Sequence, residues 1–463
     1  MSKNQLSGTL PTNLEPLAAS MIDLSSNRFT GPVPCCPRDI EYFDLSRNNL
    51  SGTLPDFGAL SLQTFALYNN SISGSIPSSL CLVQSLYILD LSGNMLTGEL
   101  PTCKGDSGPF KYMTALNLNS NNLSGNFPSA LQVSQDLVFL DLAYNQFSGN
   151  LPAWLADKLS SLALLRLRSN KFSGSIPIQL AMIQGLQYID LACNIISGQI
   201  PKSIVKLSAM SHSYRYSHSL DELEGFGMGE TDNNYSLDYN TMIFFTETMS
   251  VLTKGQQLEF SNGIKYMVNI DLSCNNLTGE IPQGISALVA LKSFNFSWNR
   301  LSGRIPNDIG GLNALESLDL SHNELSGEIP SSISALTYLT SFNLSYNNLS
   351  GRIPSGNQLQ TLAVDDPASI YIGNIDLCGP PLPKGCPGNG TSNFPAEPEQ
   401  QDNGIVNSIC LSLIIGFIFG LWMVFCILLL NKGLRCSYFF FIDYMYHKVC
   451  VHMIVTWNFL VRR

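Results

Sequence analysis

Apolar residues recur along this chain in a short alternating pattern. At 88–94 the order is Ile, Leu, Asp, Leu, Ser, Gly, Asn, so Leu89 and Leu91 point to one side of an extended segment and Asp90 to the other. The same alternation closes on Asn27, Asn48, Asn70, Asn94, Asn121, Asn145, Asn170 and Asn194. It returns at Asn275, Asn299, Asn323 and Asn347. Spacings run from 21 to 27 residues in the first block and stay at 24 in the second, a period that marks stacked units rather than one globular core. Thirteen copies of a Gly-x-x-Pro signature, from Gly8–Pro11 to Gly351–Pro354, punctuate the return path, where neither strand nor helix can continue.

A single unit cannot cover its own apolar face, but stacking makes a continuous core in which each buried Leu or Ile contributes roughly 1.5–3 kcal/mol. The asparagine stands where the strand turns, and its amide can satisfy backbone groups that stacking would otherwise bury unpaired. The pattern predicts an α/β-type repeat solenoid: a leucine-rich-repeat right-handed superhelix with a short parallel β-sheet on its concave face, plus one C-terminal transmembrane helix.

Two departures from the rhythm set the organisation. Asn194 and Asn275 are 81 residues apart, too far for one repeat, and a structureless loop that long is improbable unless it is functional. From Ser208 to Asn262 this insertion carries eight acidic and two basic residues together with Tyr214, Tyr216, Tyr235 and Tyr239, a mixture that suits a recognition surface. Residues 405–430 are uncharged, and their last twenty are almost wholly apolar, enough to span a bilayer as a helix. Glu397, Glu399 and Asp402 precede the span, and Lys432 and Arg435 follow it, which places the repeats outside the cell and the tail inside. The expected parts are repeats over 1–207, an island over 208–262, four more repeats over 263–356, a cysteine cap over 357–388, an acidic linker over 389–404, the span over 405–430 and a short tail over 431–463. The chain begins in mid-repeat with no apolar signal segment, and the expectation is a chain truncated at its N-terminus.

Charge and motifs exclude several functions. Before residue 405 there are 20 basic and 34 acidic residues, the wrong balance for a nucleic-acid partner. No CxxC pair or histidine cluster suggests a metal, and nothing implies a cofactor. The string GDSGP at Gly105–Pro109 resembles the segment around a protease nucleophile, but no matching histidine segment accompanies it, so it reads as a loop insertion in the 27-residue repeat. The tail is too short for a kinase and lacks the parts that phosphoryl transfer needs. Signalling would then come from a partner.

The repeat phrase, the insertion, the cysteine-bounded end, the span and the short tail occur in one order. That order resembles plant leucine-rich-repeat receptor-like proteins, the kinase-less cell-surface receptors, of the defence type. The stretches that carry the resemblance are LTKGQQLEFSNGIKYMVNIDLSCNNLTGEIP at 252–282, GRIPSGNQLQTL at 351–362 and YIGNIDLCGPPLPKGC at 371–386. It implies a receptor subunit at the plasma membrane that binds an extracellular protein or peptide, pairs with an adaptor receptor kinase through its transmembrane helix, and recruits a ligand-dependent co-receptor kinase. Other readings of the same chain are a developmental co-receptor, an inhibitor of a microbial wall-degrading enzyme and a non-signalling decoy.

The resemblance also implies particular residues. Within the island, the stretch from Thr248 to Phe260, with Lys254 and Gly255, would be the ordered part docking on the resumed repeats. Cys378 and Cys386 would staple the cap. Gly416 and Gly420 form a small-xxx-small motif for helix pairing. From position alone, Cys81 and Cys103 could bridge neighbouring turns, whereas Cys193 and Cys274, flanking the island, read either as small thiols or as a bridge across it. Sequons stand at Asn49, Asn69, Asn122, Asn234, Asn276, Asn295, Asn343, Asn348 and Asn389. Outward positions of the repeat give Tyr144, Arg166, Arg168 and Tyr188 as ligand contacts and Trp298, His322 and Tyr346 as a co-receptor surface, residue types that dominate binding hot spots.

Overall fold

The computed structural model describes residues 1–58, 61–103, 108–211, 249–253, 256–260, 267–356, 359, 362 and 368–386. The chain divides into two units, 1–388 and 389–463. All of the described residues belong to the first.

Each repeat contributes one three-residue strand to a twelve-stranded parallel sheet, running from Met21–Asp23 to Ser341–Asn343. Neighbours pair in strict register, so that Ile88, Ala115, Phe139, Leu164 and Tyr188 form one column and Asp90, Asn117, Asp141, Arg166 and Asp190 another. A second layer of short parallel strands follows at the Ser-Gly positions, eight in its first sheet, from Ser7–Thr9 to Lys171–Ser173. Short 3-10 turns such as Ser78–Leu82, Ser129–Val133, Ile178–Met182 and Ser331–Ala335 close the units. Strands stack about 4.8 Å apart whereas these turns are bulkier, so the sheet forms the inner face of the coil.

Leucines, isoleucines and phenylalanines from every unit merge into one core that runs from Leu14 to Leu377. Phe147 and Phe172 stack across adjacent units at 6.3 Å, as Phe43 and Phe65 do at 6.0 Å. At several glycines of the Ser-Gly strands a side chain would also collide with the preceding repeat. Gly303 has φ +74°, and a Cβ there would meet Glu280 Cγ at 2.7 Å.

Each predicted asparagine performs the same task. Asn145 Oδ1 accepts from Leu123 N–H at 2.9 Å, and its amide nitrogen donates to the carbonyls of Leu118, Leu142 and Ala143. The ladder crosses the island unbroken: Asn275 Oδ1 accepts from Ile196 N–H at 3.0 Å, and Asn275 Nδ2 donates to Leu191 O at 3.0 Å. Tyr188–Asp190 pairs directly with Asn269–Asp271, so the insertion leaves and re-enters without opening the sheet. Within the island span, Met249–Thr253 and Gln256–Phe260 form an antiparallel hairpin. Lys254 and Gly255 lie outside the described residues.

The ladder has one more rung than the sequence pattern announced. Asn374, in the cap, accepts from Leu349 N–H at 3.0 Å and donates to Leu344 O at 3.0 Å. Asp376–Cys378 then adds a strand to Asn348–Arg352, and the Cys378–Cys386 disulfide secures it. Cys81 and Cys103 are also bridged, with Cα atoms 5.4 Å apart between neighbouring turns. Cys35, Cys36, Cys193 and Cys274 are free thiols.

No helix among the described residues is long and apolar enough to cross a membrane. The predicted span at 405–430, with Gly416 and Gly420, lies outside them, as do the sequons Asn234 and Asn389.

Removing one buried rung strands several backbone groups at once, each worth about 1–3 kcal/mol when left unpaired. Asn275→Ala is expected to lower unfolding stability by at least about 2 kcal/mol and to speed hydrogen exchange at Ile196 N–H. Denaturant titration with exchange mass spectrometry checks both.

Candidate functional site

Every ladder asparagine is preceded by a residue in the left-handed region, from Ser26 at φ 53° to Tyr346 at φ 54°. β-branched side chains fit this region worst, and none occupies it in the twelve repeats. These residues form a column along the edge of the sheet. In the second block the column reads Cys274, Trp298, His322 and Tyr346.

The last three stack. Trp298 and His322 have ring centroids 3.7 Å apart at 14°, and His322 and Tyr346 4.4 Å apart at 20°. Trp298 remains 59% and Tyr346 49% exposed, so the stack presents a broad, rigid aromatic edge to solvent. Burial of the imidazole between its neighbours lowers the pKa of His322, against the pull of Asp319. The column ends on the cap, where Gly373 has no side chain and a Cβ would meet Tyr346 Cδ1 at 2.7 Å.

The other predicted group is arranged differently from the expectation of four outward-facing contacts. Only Tyr144 is exposed; Arg166, Arg168 and Tyr188 are buried. Arg166 Nη1 donates to Asp141 Oδ2 at 3.0 Å, Arg168 Nε donates to Asp190 Oδ2 at 2.8 Å, and Arg168 Nη2 also pairs with Asp271. The Arg166 guanidinium lies 5.7 Å from the Tyr144 ring centroid. Burial works against both guanidinium charges. Asp141, Tyr188 and Asp190 around Arg166, and Asp190 and Asp271 around Arg168, more than offset it and hold both pKa values above that of an ordinary arginine. The reason is registration: outward positions on parallel strands stack directly, so Arg166 falls between Asp141 and Asp190, while Arg168 reaches the aspartates of the next two repeats.

Sequence reasoning missed those aspartates, because an Asp at the third strand position recurs in most repeats and carries no individual signal. It also missed the apolar strip beside them. Ile88, Ala115, Phe139, Leu164 and Tyr188 make a second buried cluster separate from the main core, flanked by Tyr87 and Met267. At the end of this strip two buried polar atoms, the Tyr188 hydroxyl and Asn269 Nδ2, have no hydrogen-bond partner among the described residues, while Arg166 Nε faces Asp190 Oδ2 at 3.6 Å. Such orphans are uncommon in native structures and call for a cause.

The described sequons differ in setting. Asn49, Asn69, Asn122, Asn276 and Asn348 are exposed, whereas Asn295 and Asn343 sit half-buried on the inner sheet with their Oδ1 atoms accepting from Ser297 and Ser345 N–H. Among the described residues no group of His, Cys, Asp or Glu is placed to hold a metal ion.

Comparison with known proteins follows the same geometry. Leucine rich repeat profiles match residues 265–325 and seven further segments, among them 85–104, 136–157 and 338–360. Receptor-like protein EIX2 of Solanum lycopersicum is 38% identical over 98% of this chain, and Receptor-like protein 18 of Arabidopsis thaliana is 30% identical over 63%. The chain belongs to the plant leucine-rich-repeat receptor-like proteins. It spans 46% of the length of the first relative and 30% of the second. Among solved structures, PEPR1–AtPEP1 superposes with TM-score 0.60 at 26% identity, covering 81% of this chain and 44% of that one. The Arabidopsis receptor kinase HAESA ectodomain, in complex with an extended IDA peptide hormone, superposes with TM-score 0.59 at 29% identity, covering 83% and 58%.

One buried acid gives this receptor-like protein a pH signature. Burial raises the Asp90 carboxyl to about 7, against hydrogen bonds from Ser92 and Asn117 that favour the ion. The folded state then holds the proton more tightly than the unfolded chain, whose Asp titrates near about 3.9. This contribution is full below about pH 4 and is lost as pH rises through about 7. Asp90→Asn is expected to flatten that fall, measured as melting temperature across the range.

Proposed function

We propose that this protein is a cell-surface receptor subunit that binds an extracellular protein or peptide, of microbial origin, on the inner face of its repeats and signals through partner receptor kinases in plant defence. The observation that carries the reading is the exposed Trp298–His322–Tyr346 stack. Three large aromatic side chains occupy a turn position that disfavours them, and their outer edges cover no part of the core. Rigid aromatic surface of this kind supplies binding energy at little entropic expense. It lies on the repeats after the island, toward the membrane end of the sequence, and is assigned to a co-receptor kinase.

The ligand is assigned to the region around Tyr144 and the apolar strip. Tyr144 is the exposed member of that region and offers the ligand an aromatic face. Arg166 and Arg168 act in this reading by holding the charged border of the strip rather than by reaching out. The Gly416–Gly420 motif is assigned to constitutive pairing with an adaptor kinase, and Lys254 and Gly255 to an island that orients the later repeats. The HAESA ectodomain is solved with the IDA peptide hormone as ligand, which supports a peptide or protein as ligand class.

The chain, expressed behind a secretion signal in leaf cells, provides the test. Trp298→Ala with Tyr346→Ala is expected to reduce recruitment of a co-receptor kinase after treatment with microbial culture filtrate by at least about tenfold, since hot-spot aromatics are each worth about 2 kcal/mol or more. Constitutive kinase pairing should survive that change and be lost instead in Gly416→Leu with Gly420→Leu. Undiminished recruitment in the first variant, or undiminished pairing in the second, rejects the corresponding assignment.

A further inference from the structure

Cys193 and Cys274 are 81 positions apart in sequence and adjacent in space. They occupy the same left-handed position, at φ 52° and 57°, on the two repeats that border the island. The backbones between them are joined in register: Cys193 N–H donates to Ser273 O at 2.8 Å, and Asn194 N–H donates to Cys274 O at 3.2 Å. Neighbouring strands stack about 4.8 Å apart, within the Cα separation of about 4.4–6.8 Å that a disulfide accepts. Matching positions on paired strands therefore set the two side chains beside each other. Cys274 is exposed, so a small reagent reaches it directly.

We propose that Cys193 and Cys274 form a reactive dithiol that a hydroperoxide oxidises to a disulfide between the two repeats that border the island. Cys36 differs in kind. Cys36 is buried and burial pushes its thiol up to about 12, which keeps it inert. The Cys274 thiol is instead lowered to about 7, chiefly by the hydrogen bond from Cys193 and further by the nearby Arg168 guanidinium, against burial and Asp271. Cys81 and Cys103 provide a precedent in the same molecule for a bridge between neighbouring turns.

The chemistry balances with hydrogen peroxide as the oxidant. The Cys274 thiolate sulfur attacks one peroxide oxygen and the O–O bond breaks. The sulfur becomes a sulfenic acid, and the departing oxygen takes a proton to leave as water. Cys193 then gives up its proton and attacks the sulfenic sulfur; the S–O bond breaks and the hydroxide leaves as a second water. Two thiols are oxidised by two electrons in total while the peroxide is reduced to two waters. The new bond ties the repeat before the island covalently to the repeat after it.

The full chain, mildly reduced in detergent and freed of reductant, is treated with hydrogen peroxide and mapped by mass spectrometry without further reduction. A cross-linked Cys193–Cys274 peptide is expected. Cys193→Ser should leave the Cys274 sulfenic acid to be trapped by dimedone, whereas Cys274→Ser should leave Cys193 at least about tenfold less oxidised, since the thiolate is the nucleophile. Iodoacetamide should label Cys274 in the untreated protein several-fold faster than Cys36. The proposal fails if wild-type Cys274 reacts no faster than Cys36, or if the cross-link appears only after denaturation. It also fails if a Cys193–Cys274 bond persists under reduction that opens Cys378–Cys386. None of these readings depends on a ligand or kinase being found.

Discussion

Burying the turn after each strand is the constraint on which the structure depends. Stacked repeats take backbone N–H and C=O groups out of water on every turn, and unpaired they would be prohibitive. One asparagine per repeat resolves this, because its side chain carries an acceptor and two donors on one short arm. It ties its own turn and the preceding one together, so the sheet, the core and the length of the solenoid follow from one repeated amide. The ladder passes the island intact at Asn275 and ends on Asn374 in the cap. An insertion of any length can therefore leave the coil at that point, provided its two ends meet in register.

The same geometry creates the surfaces. To bring the asparagine into place, the residue before it adopts a conformation costing about 1–2 kcal/mol for an L-residue, and its side chain is thrown to the edge of the sheet. Where that residue is Trp298, His322 or Tyr346 the result is an exposed aromatic stack; where it is Cys193 or Cys274, a pair of neighbouring thiols. On the inner face, register puts Arg166 and Arg168 among Asp141, Asp190 and Asp271. Removing one member would leave buried charge uncompensated, so this network fixes the local arrangement more than it adds stability.

Most of the fold was legible in the chain. The period, the alternating leucines and the Gly-x-x-Pro punctuation each report a local requirement, and local requirements are visible in sequence. The candidate surfaces were legible only in part. Residue type nominated Tyr144, Arg166, Arg168 and Tyr188 together, yet Tyr144 alone stays exposed, because exposure depends on what stands on the repeats either side. Asn374 escaped notice because the cap lacks the leucine alternation that marks the other rungs.

The sequence by itself determined a solenoid of stacked repeats interrupted once, with an acidic repeat region and an uncharged apolar stretch near its end. Periodicity and composition carry those properties without reference to any contact. Tertiary structure alone decided which outward side chains became partners of one another. Parallel registration brings residues about 24, or in one case 81, positions apart to within hydrogen-bonding or stacking distance. Whether a given arginine, tyrosine or cysteine is then free or engaged is a property of the column in which it stands.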